Sequence, residues 1–410
     1  MAESGDRPKL RPVEAFPTEA EGKRVIALRD PAGYTDSVLL LPLPLLDIVS
    51  LFDGEHSILE IQAEIMRRRG ELLFSEEIDR ILARLNEHGF LDSPLFAERR
   101  RRLEEGFRRS STRPAVHAGA AYAREPEALR AQMDRFFAPP DGPGASGGLQ
   151  SSSLRAIIAP HIDFHRGGPV YAWAYRELAE RSDADCFVIL GTCHAGMEEP
   201  FALTLKDYET PFGPATVDRE FAEALSRRYG TTLLGSELAH RAEHSIEFQA
   251  VFLRYLLAGR REFSIVPILA SFVHECLALG KDPDEDPAVG RFLEALRDTI
   301  AASGRKVCLV AGADLAHVGP RFGDPEPVTD SWLRMVESED RAMLETVTSL
   351  DPGGFFDSAA KDGDRRRICG LSPIYALLRA AEARSGVLLK YGQWPDPQGT
   401  VTFASVALSA

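Results

Sequence analysis

The chain has no stretch apolar enough to span a bilayer. Its longest apolar run, Ser37 to Phe52, is broken by Pro42, Pro44 and Asp47, whereas a span needs about 20 apolar residues. The opening residues MAESGDRPKLRP hold no apolar h-region, so no secretory signal is expected. Cysteine is sparse: there are 5, an odd number without a C-x-x-C pair. That count excludes a disulfide framework and a zinc ribbon and fits a reducing compartment. Positive charge is in deficit, with 48 Lys and Arg against 62 Asp and Glu and a net charge of −14. A field of that sign disfavours nucleic acid and anionic membrane as partners. No repeat at a fixed period is present. These absences predict a cytoplasmic protein. What is there, 410 residues with 44% hydrophobic and 27% charged, suits two domains with cores large enough to fold without a disulfide or a metal.

Two composition breaks divide the chain. Arg99–Arg102 through Arg113-Pro114 reads as a solvated helix end and linker. Pro139 to Ser153, PPDGPGASGGLQSSS, has turn chemistry and no apolar period, and reads as a surface loop. Before the first break, Ser57-Ile-Leu-Glu60 predicts a helix opened by a capping box, with Ile58, Ile61 and Ile65 at helical spacing. A second helix is predicted from Ser75, with Glu76 and Glu77 at its positive end, and Gly89 as a left-handed stop. Phe90-Leu91 then suggests a short strand. Helix, turn, helix and strand outline a winged helix, but Asp47 to Asp92 holds 11 acidic and 5 basic residues, a net of −6. Phosphate neutralisation needs the opposite sign, so DNA binding is not expected. Residues 1–105, through DGEHSILEIQAEI and the helix pair, resemble the PqqD-like winged-helix modules that hold peptides, which implies a peptide partner for this domain.

Beyond residue 113 the pattern changes. Leu154–Ala159, Cys186–Leu190, Phe263–Leu269 and Val307–Ala311 are short, nearly continuous apolar runs, as in strands buried on both faces. Helical stretches such as Val170–Arg181 and Arg291–Ala302 lie between them. The alternation predicts an α/β fold with a doubly wound or sandwiched sheet, whose ligands bind beyond the carboxyl ends of the strands.

That is where chemistry-bearing residues fall. His161 and His194 each follow an apolar run, and Asp314 and His317 follow a third. His244 and Glu247 stand at the start of a predicted helix. Imidazoles clustered with carboxylates are what a divalent transition metal needs. The Asp314–His317 spacing puts both on one face if the chain is helical there, as a ligand with its orienting carboxylate or as a general base with its partner. Cys186, Cys276 and Cys308 read as packing residues, while Cys193 could approach the site beside His194. Cys369 follows Arg365-Arg-Arg-Ile, and three cations would favour its thiolate, the form that ligates metals.

Six motifs carry a family resemblance: Ala115-Val-His-Ala-Gly-Ala-Ala-Tyr122, Ile157-Ile-Ala-Pro-His161, Gly191-Thr-Cys-His194, Glu243-His-Ser-Ile-Glu247, Asp314-Leu-Ala-His317 and Ile368-Cys-Gly370. Through them residues 113–410 resemble the Memo family, known in bacteria as AmmeMemoRadiSam system protein B, whose fold is similar to class III extradiol dioxygenases. The resemblance implies His161, His194 and Cys369 as metal ligands. It implies that Asp314 and His317 line the same pocket, with His244 and Glu247 near it. Three positions depart from the family pattern. Ile162-Asp163-Phe164-His165 replaces a small Ala-Gly-Tyr segment, Ala195 replaces a second adjacent histidine, and Gln249 stands where histidine is common.

Three functions follow. The first is a non-haem metal-dependent redox enzyme, with iron(II) ahead of zinc or copper, working with an AMMECR1-like protein and a radical S-adenosylmethionine enzyme by family association. The second is a metal- or peptide-binding adaptor without turnover. The third is a zinc hydrolase, for which two histidines, a cysteine and water are good coordination chemistry.

Overall fold

The computed structural model describes residues 7–20 and 22–410. The chain forms two compact units that divide between Arg109 and Ser110. In the first, β1 (Glu14–Ala20), β2 (Lys23–Arg29) and β3 (Leu39–Pro42) form an antiparallel meander. Four helices follow: α1 (Leu43–Val49), α2 (Ile58–Arg69), α3 (Ser75–Glu87) and α4 (Pro94–Arg109). The capping box at α2 is formed in both directions between Ser57 and Glu60. Gly89, at φ +76°, follows the last turn of α3. Ile61, Ile65, Ile78 and Leu85 turn inward against Leu28, Leu39 and Leu41 of the sheet. The meander is the part of this unit that sequence reasoning did not anticipate. Pro17 sits within β1, which is tolerated because β1 is an edge strand paired only to β2. Phe90–Leu91, expected as a strand, makes only a single bridge, Leu91 to Leu10, although both residues are buried. The arginine run read as a solvated helix end and linker lies in α4, which ends where the two units divide, and Arg101, Arg108 and Arg109 pair there with Glu98, Glu104 and Glu105 at helical spacing.

The second unit opens with β4 (Thr112–Arg113) and α5 (Pro126–Phe137), then β5 (Leu154–Ala159), α6 (Phe164–Arg181), β6 (Cys186–Thr192), β7 (Phe201–Leu203) and β8 (Asp207–Tyr208). Next come α7 (Arg219–Tyr229), α8 (Ser245–Leu257), β9 (Ser264–Ala270), α9 (Val273–Leu279), α10 (Pro287–Ala302), β10 (Val307–Gly312) and β11 (Asp314–Val318). It closes with α11 (Asp330–Thr348), α12 (Pro352–Ala360), α13 (Leu371–Ala380), β12 (Ser385–Trp394) and β13 (Thr400–Ser409). All four predicted apolar runs are strands, and they are mutually parallel in the order β5, β10, β6, β9. Alternate residues explain why the runs are continuously apolar. Cys186, Val188 and Leu190 of β6 pack into one core with α7, α10 and α13, while Phe187 and Ile189 pack into the other with α5, α6 and α8. The sheet is therefore sandwiched between helices.

It is also mixed. β13 pairs antiparallel with β5, β11 and β12, and β7 antiparallel with β9, making eight strands in all. The C-terminal hairpin was not legible in the sequence, although every residue of β13 is buried. Helix α6 begins at Phe164, six residues before the predicted start, and contains Pro169. Residues 139–153 hold no helix or strand, as their composition predicts.

Candidate metal centre

The parallel strands deliver their following residues to one edge of the sheet. Two residues past β5 stands His161, two past β6 stands His194, and β10 leads into Asp314. Cys369 reaches the same edge on the loop before α13. Donor atoms of His161, His194 and Cys369 all lie within 4.8 Å of one another. The His161 Nε2 to Cys369 Sγ distance is 3.1 Å, and the His161 and His194 rings are 4.9 Å apart, edge to face.

Each imidazole is oriented by a partner on its other nitrogen. His161 Nδ1 lies 2.9 Å from the Gly312 carbonyl. A carbonyl only accepts, so the proton sits on Nδ1 and the Nε2 lone pair faces the cluster. His194 Nδ1 lies 3.0 and 3.1 Å from the two oxygens of Glu243. Glu243 is itself pinned by the backbone N–H groups of His194, His244 and Ser245 at 2.8 to 2.9 Å. Burial pushes the Glu243 carboxyl upward, but His194 and His244 outweigh it and hold the group well below the usual carboxylate range. An ionised Glu243 accepts from Nδ1 and leaves Nε2 of His194 as its remaining donor atom. Glu243 was part of a quoted motif, yet sequence reasoning gave it no role. The signal available was its position next to a histidine at a helix start.

The donor set fits a transition metal. Burial, then the neighbouring His194, pull the His161 pKa down to about 3, so its imidazole is neutral, the ligating form. Cys369 departs from expectation. Its thiol is pushed well above its ordinary value by burial and then by Asp314. The three arginines do not act on it because each is spoken for: Arg365 pairs with Glu339, Arg366 with buried Asp340, and Arg367 with both oxygens of Asp324 at 3.0 and 2.8 Å. A metal entering here must expel the thiol proton.

Asp314 is beside the cluster. Its Oδ1 accepts from the His161 backbone N–H at 2.9 Å, and its Oδ2 is 3.7 Å from His161 Nε2. Burial pushes its carboxyl up to about 6. The Asp314–His317 segment is strand β11, not a helix, and a register irregularity between the two residues breaks the strict alternation of a strand. His317 turns Nδ1 toward the Leu315 carbonyl at 3.1 Å, stands edge-on to Phe322, and is pulled down by burial to about 4. His244, at the N-cap of α8, stacks on His194 at 4.6 Å and 21°.

Glu247 is placed differently. Fully buried in the first turn of α8, it accepts from Arg113, from the Tyr122 hydroxyl and from the His117 backbone N–H. Arg113, read as part of a solvated linker, has no exposed surface. It donates to the carbonyls of Pro114, His240 and Glu243 at 2.8, 3.0 and 2.5 Å. The pair thus clamps the backbone segment that carries Glu243 and His244. Asp163 pairs with Arg166, and His165 is exposed near Trp394. Gln249 donates to the Pro160 and Ser245 carbonyls, bracing the turn before His161. Cys193 is buried, with its thiol pushed up to about 12 by burial.

A cavity of about 680 Å³ borders the cluster, with His194 and Cys369 in its wall and Leu277, Ala278 and His274 of α9 among its other lining residues. It is large enough for a small organic molecule. His274 Nε2 lies 3.2 Å from Asp364, whose carboxylate also accepts from the Ile368 N–H, so this wall and the Cys369 loop are tied together.

The profile of the Memo-like protein family matches residues 113–407. A MEMO1 family protein of Aquifex aeolicus is 28% identical over 388 residues, 94% of each chain. Another, from Methanococcoides burtonii, is 32% identical over 286 residues, 69% of this chain and 93% of its own. The Aquifex match is long enough to take in most of the first unit, whereas the archaeal one is slightly shorter than the second unit. With the profile spanning most of the chain, this protein belongs to the Memo family.

Proposed function

We propose that the second unit is a non-haem metal enzyme of redox type, with iron(II) held by His161, His194 and Cys369 and a small organic substrate in the adjoining cavity. The observation that carries the reading is the convergence of three donor atoms within 4.8 Å, two of which, on His194 and Cys369, stand in the wall of that cavity. The oriented nitrogens of His161 and His194 support it. When bound there, iron(II) would supply Lewis acidity and one-electron exchange with an oxidant such as dioxygen.

The remaining work falls to the protein. Gly312 and Glu243 fix the two imidazoles, so that little reorganisation accompanies binding. Asp314, with a pKa of about 6, holds or releases a proton on its carboxylate near neutral pH. His317, neutral at that pH, is the neighbouring acceptor. Thiolate ligation also suits zinc and copper(I), so a zinc hydrolase is the second reading. An AMMECR1-like protein and a radical S-adenosylmethionine enzyme are the partners we propose on the family resemblance.

The test is metal content after anaerobic purification and reconstitution, measured in wild type, His161→Ala and Cys369→Ser. Near-stoichiometric iron in wild type, lost in both variants, is the expected result. Equal metal in all three, or none in any, would remove the site. Zinc retained in preference to iron would favour the hydrolase. Tight metal binding without substrate-dependent oxygen consumption would favour an adaptor.

A further inference from the structure

We infer that the first unit carries a docking groove for a basic, amphipathic helical segment of another protein, independent of the metal centre. The groove, about 560 Å³, lies along α2 and the α2–α3 connection. Leu59, Met66, Leu72 and Phe74 line it, and they are 76%, 42%, 70% and 61% exposed. Large apolar side chains gathered in one exposed groove are costly to leave in water and mark interaction sites in soluble proteins.

The geometry selects a helix. Leu59, Gln62, Ala63 and Met66 recur at i, i+3, i+4 and i+7, a second face of α2 opposite the buried Ile61 and Ile65. That face is about 10 Å long, the length of two helical turns. A partner helix with its own i, i+3, i+4 and i+7 apolar stripe matches it. The groove is preformed, because Gln62 Nε2 donates to the Leu73 carbonyl at 2.9 Å and to Ser75 Oγ at 3.2 Å, bracing the connection against α2.

Charge selects a basic partner. Of the cations at the end of α2, Arg67 and Arg68 share Glu64 and Arg69 pairs with Asp47, which leaves one positive charge there against the three carboxylates that follow. Glu71, Glu76 and Glu77 are exposed and pair with no cation among the described residues. Arg80, the nearby exception, gives its Nε to the Glu76 carbonyl. An acidic rim around an apolar floor favours a Lys- or Arg-flanked apolar stripe and repels anionic lipid.

The probe is a fluorescent leucine–lysine helical peptide of roughly five turns, titrated by anisotropy into the full-length chain at physiological salt. Its leucine–glutamate analogue is the control. Saturable binding of the lysine peptide is expected, weakened at least about tenfold in Leu72→Ser/Phe74→Ser and in Glu71→Lys/Glu76→Lys. The glutamate peptide should not bind the wild-type chain. All four positions are exposed, so unchanged circular dichroism is expected, and the charge variant carries the test should the apolar one unfold. Absence of saturable binding, equal binding of both peptides, or undiminished binding in both variants would overturn the proposal. So would a dimer dissolved by Leu72→Ser/Phe74→Ser, which would assign the groove to a second copy. Groove-dependent binding to phosphatidylcholine vesicles would assign it to a membrane and equally overturn it. Metal content should be unchanged in these variants, so this proposal and the metal reading fail separately.

Discussion

Replacing Glu247 with alanine separates a structural carboxylate from a catalytic one. Arg113 and Glu247 are both fully withdrawn from solvent. Once Glu247 is gone, Arg113 keeps no carboxylate partner, only the neutral carbonyls of Pro114, His240 and Glu243 and the face of the Tyr208 ring. Stranding a buried charge by removing its partner costs about 3–5 kcal/mol, and Tyr122 and the His117 N–H lose an acceptor as well. Glu247→Gln keeps an acceptor for those two donors and removes only the charge, so it should fall between alanine and wild type. All three tryptophans, Trp173, Trp332 and Trp394, lie in the second unit, so their fluorescence during urea unfolding of chelator-treated protein reports that unit. The midpoint should fall by more than about 1 M urea in Glu247→Ala. Iron binding per folded molecule should persist below the transition. A loss under about 1 kcal/mol would refute the clamp. Unchanged stability with abolished turnover would place Glu247 in the chemistry.

The same geometry fixes other outcomes. Glu243→Gln weakens the hold on His194 and should lower metal affinity about 10–100-fold, measured by competition with a chelator, while the fold is retained. Gly370→Ala should displace the Cys369 loop, because a Cβ there would lie 2.4 Å from the Asp314 carbonyl oxygen and 2.8 Å from Ala313 Cβ. The expected cost is about 1–3 kcal/mol together with loss of metal, read by melting temperature and metal content. Stability of the metal-free protein should rise with pH between about 4 and 6.5. Burial pulls His161 and His240 to about 3, His317 to about 4 and His244 well below its ordinary value, so in that window the unfolded chain binds protons on four imidazoles that the folded one refuses. Asp314, raised by burial to about 6 from 3.8, opposes them with one proton below pH 6. The four histidines outweigh the one carboxyl, so the slope is positive and at least about 2 kcal/mol per pH unit near pH 5. A flat urea midpoint across that range would contradict it.

The local patterns in this sequence were sufficient for the elements they describe. A capping box at Ser57 and Glu60 specifies α2, because both hydrogen bonds close within four residues. Continuous apolar runs specify β5, β6, β9 and β10, because strands buried on both faces tolerate little else. Strands followed two residues later by His161 and His194 already place two imidazoles at one edge of a parallel sheet. Tertiary structure alone decided what those residues meet. Arg113 reads as a linker cation until Glu247, 134 positions away, neutralises it in the core. Three arginines before Cys369 suggest an activated thiol until Glu339, Asp340 and Asp324 occupy them. Glu243 and Glu247 are four residues apart in one motif, yet one orients His194 while the other faces Arg113. Local hydrogen bonding and periodicity act between near neighbours and can be read along the chain. Burial and charge pairing depend on which distant residue fills the remaining space, and only the packed fold supplies that.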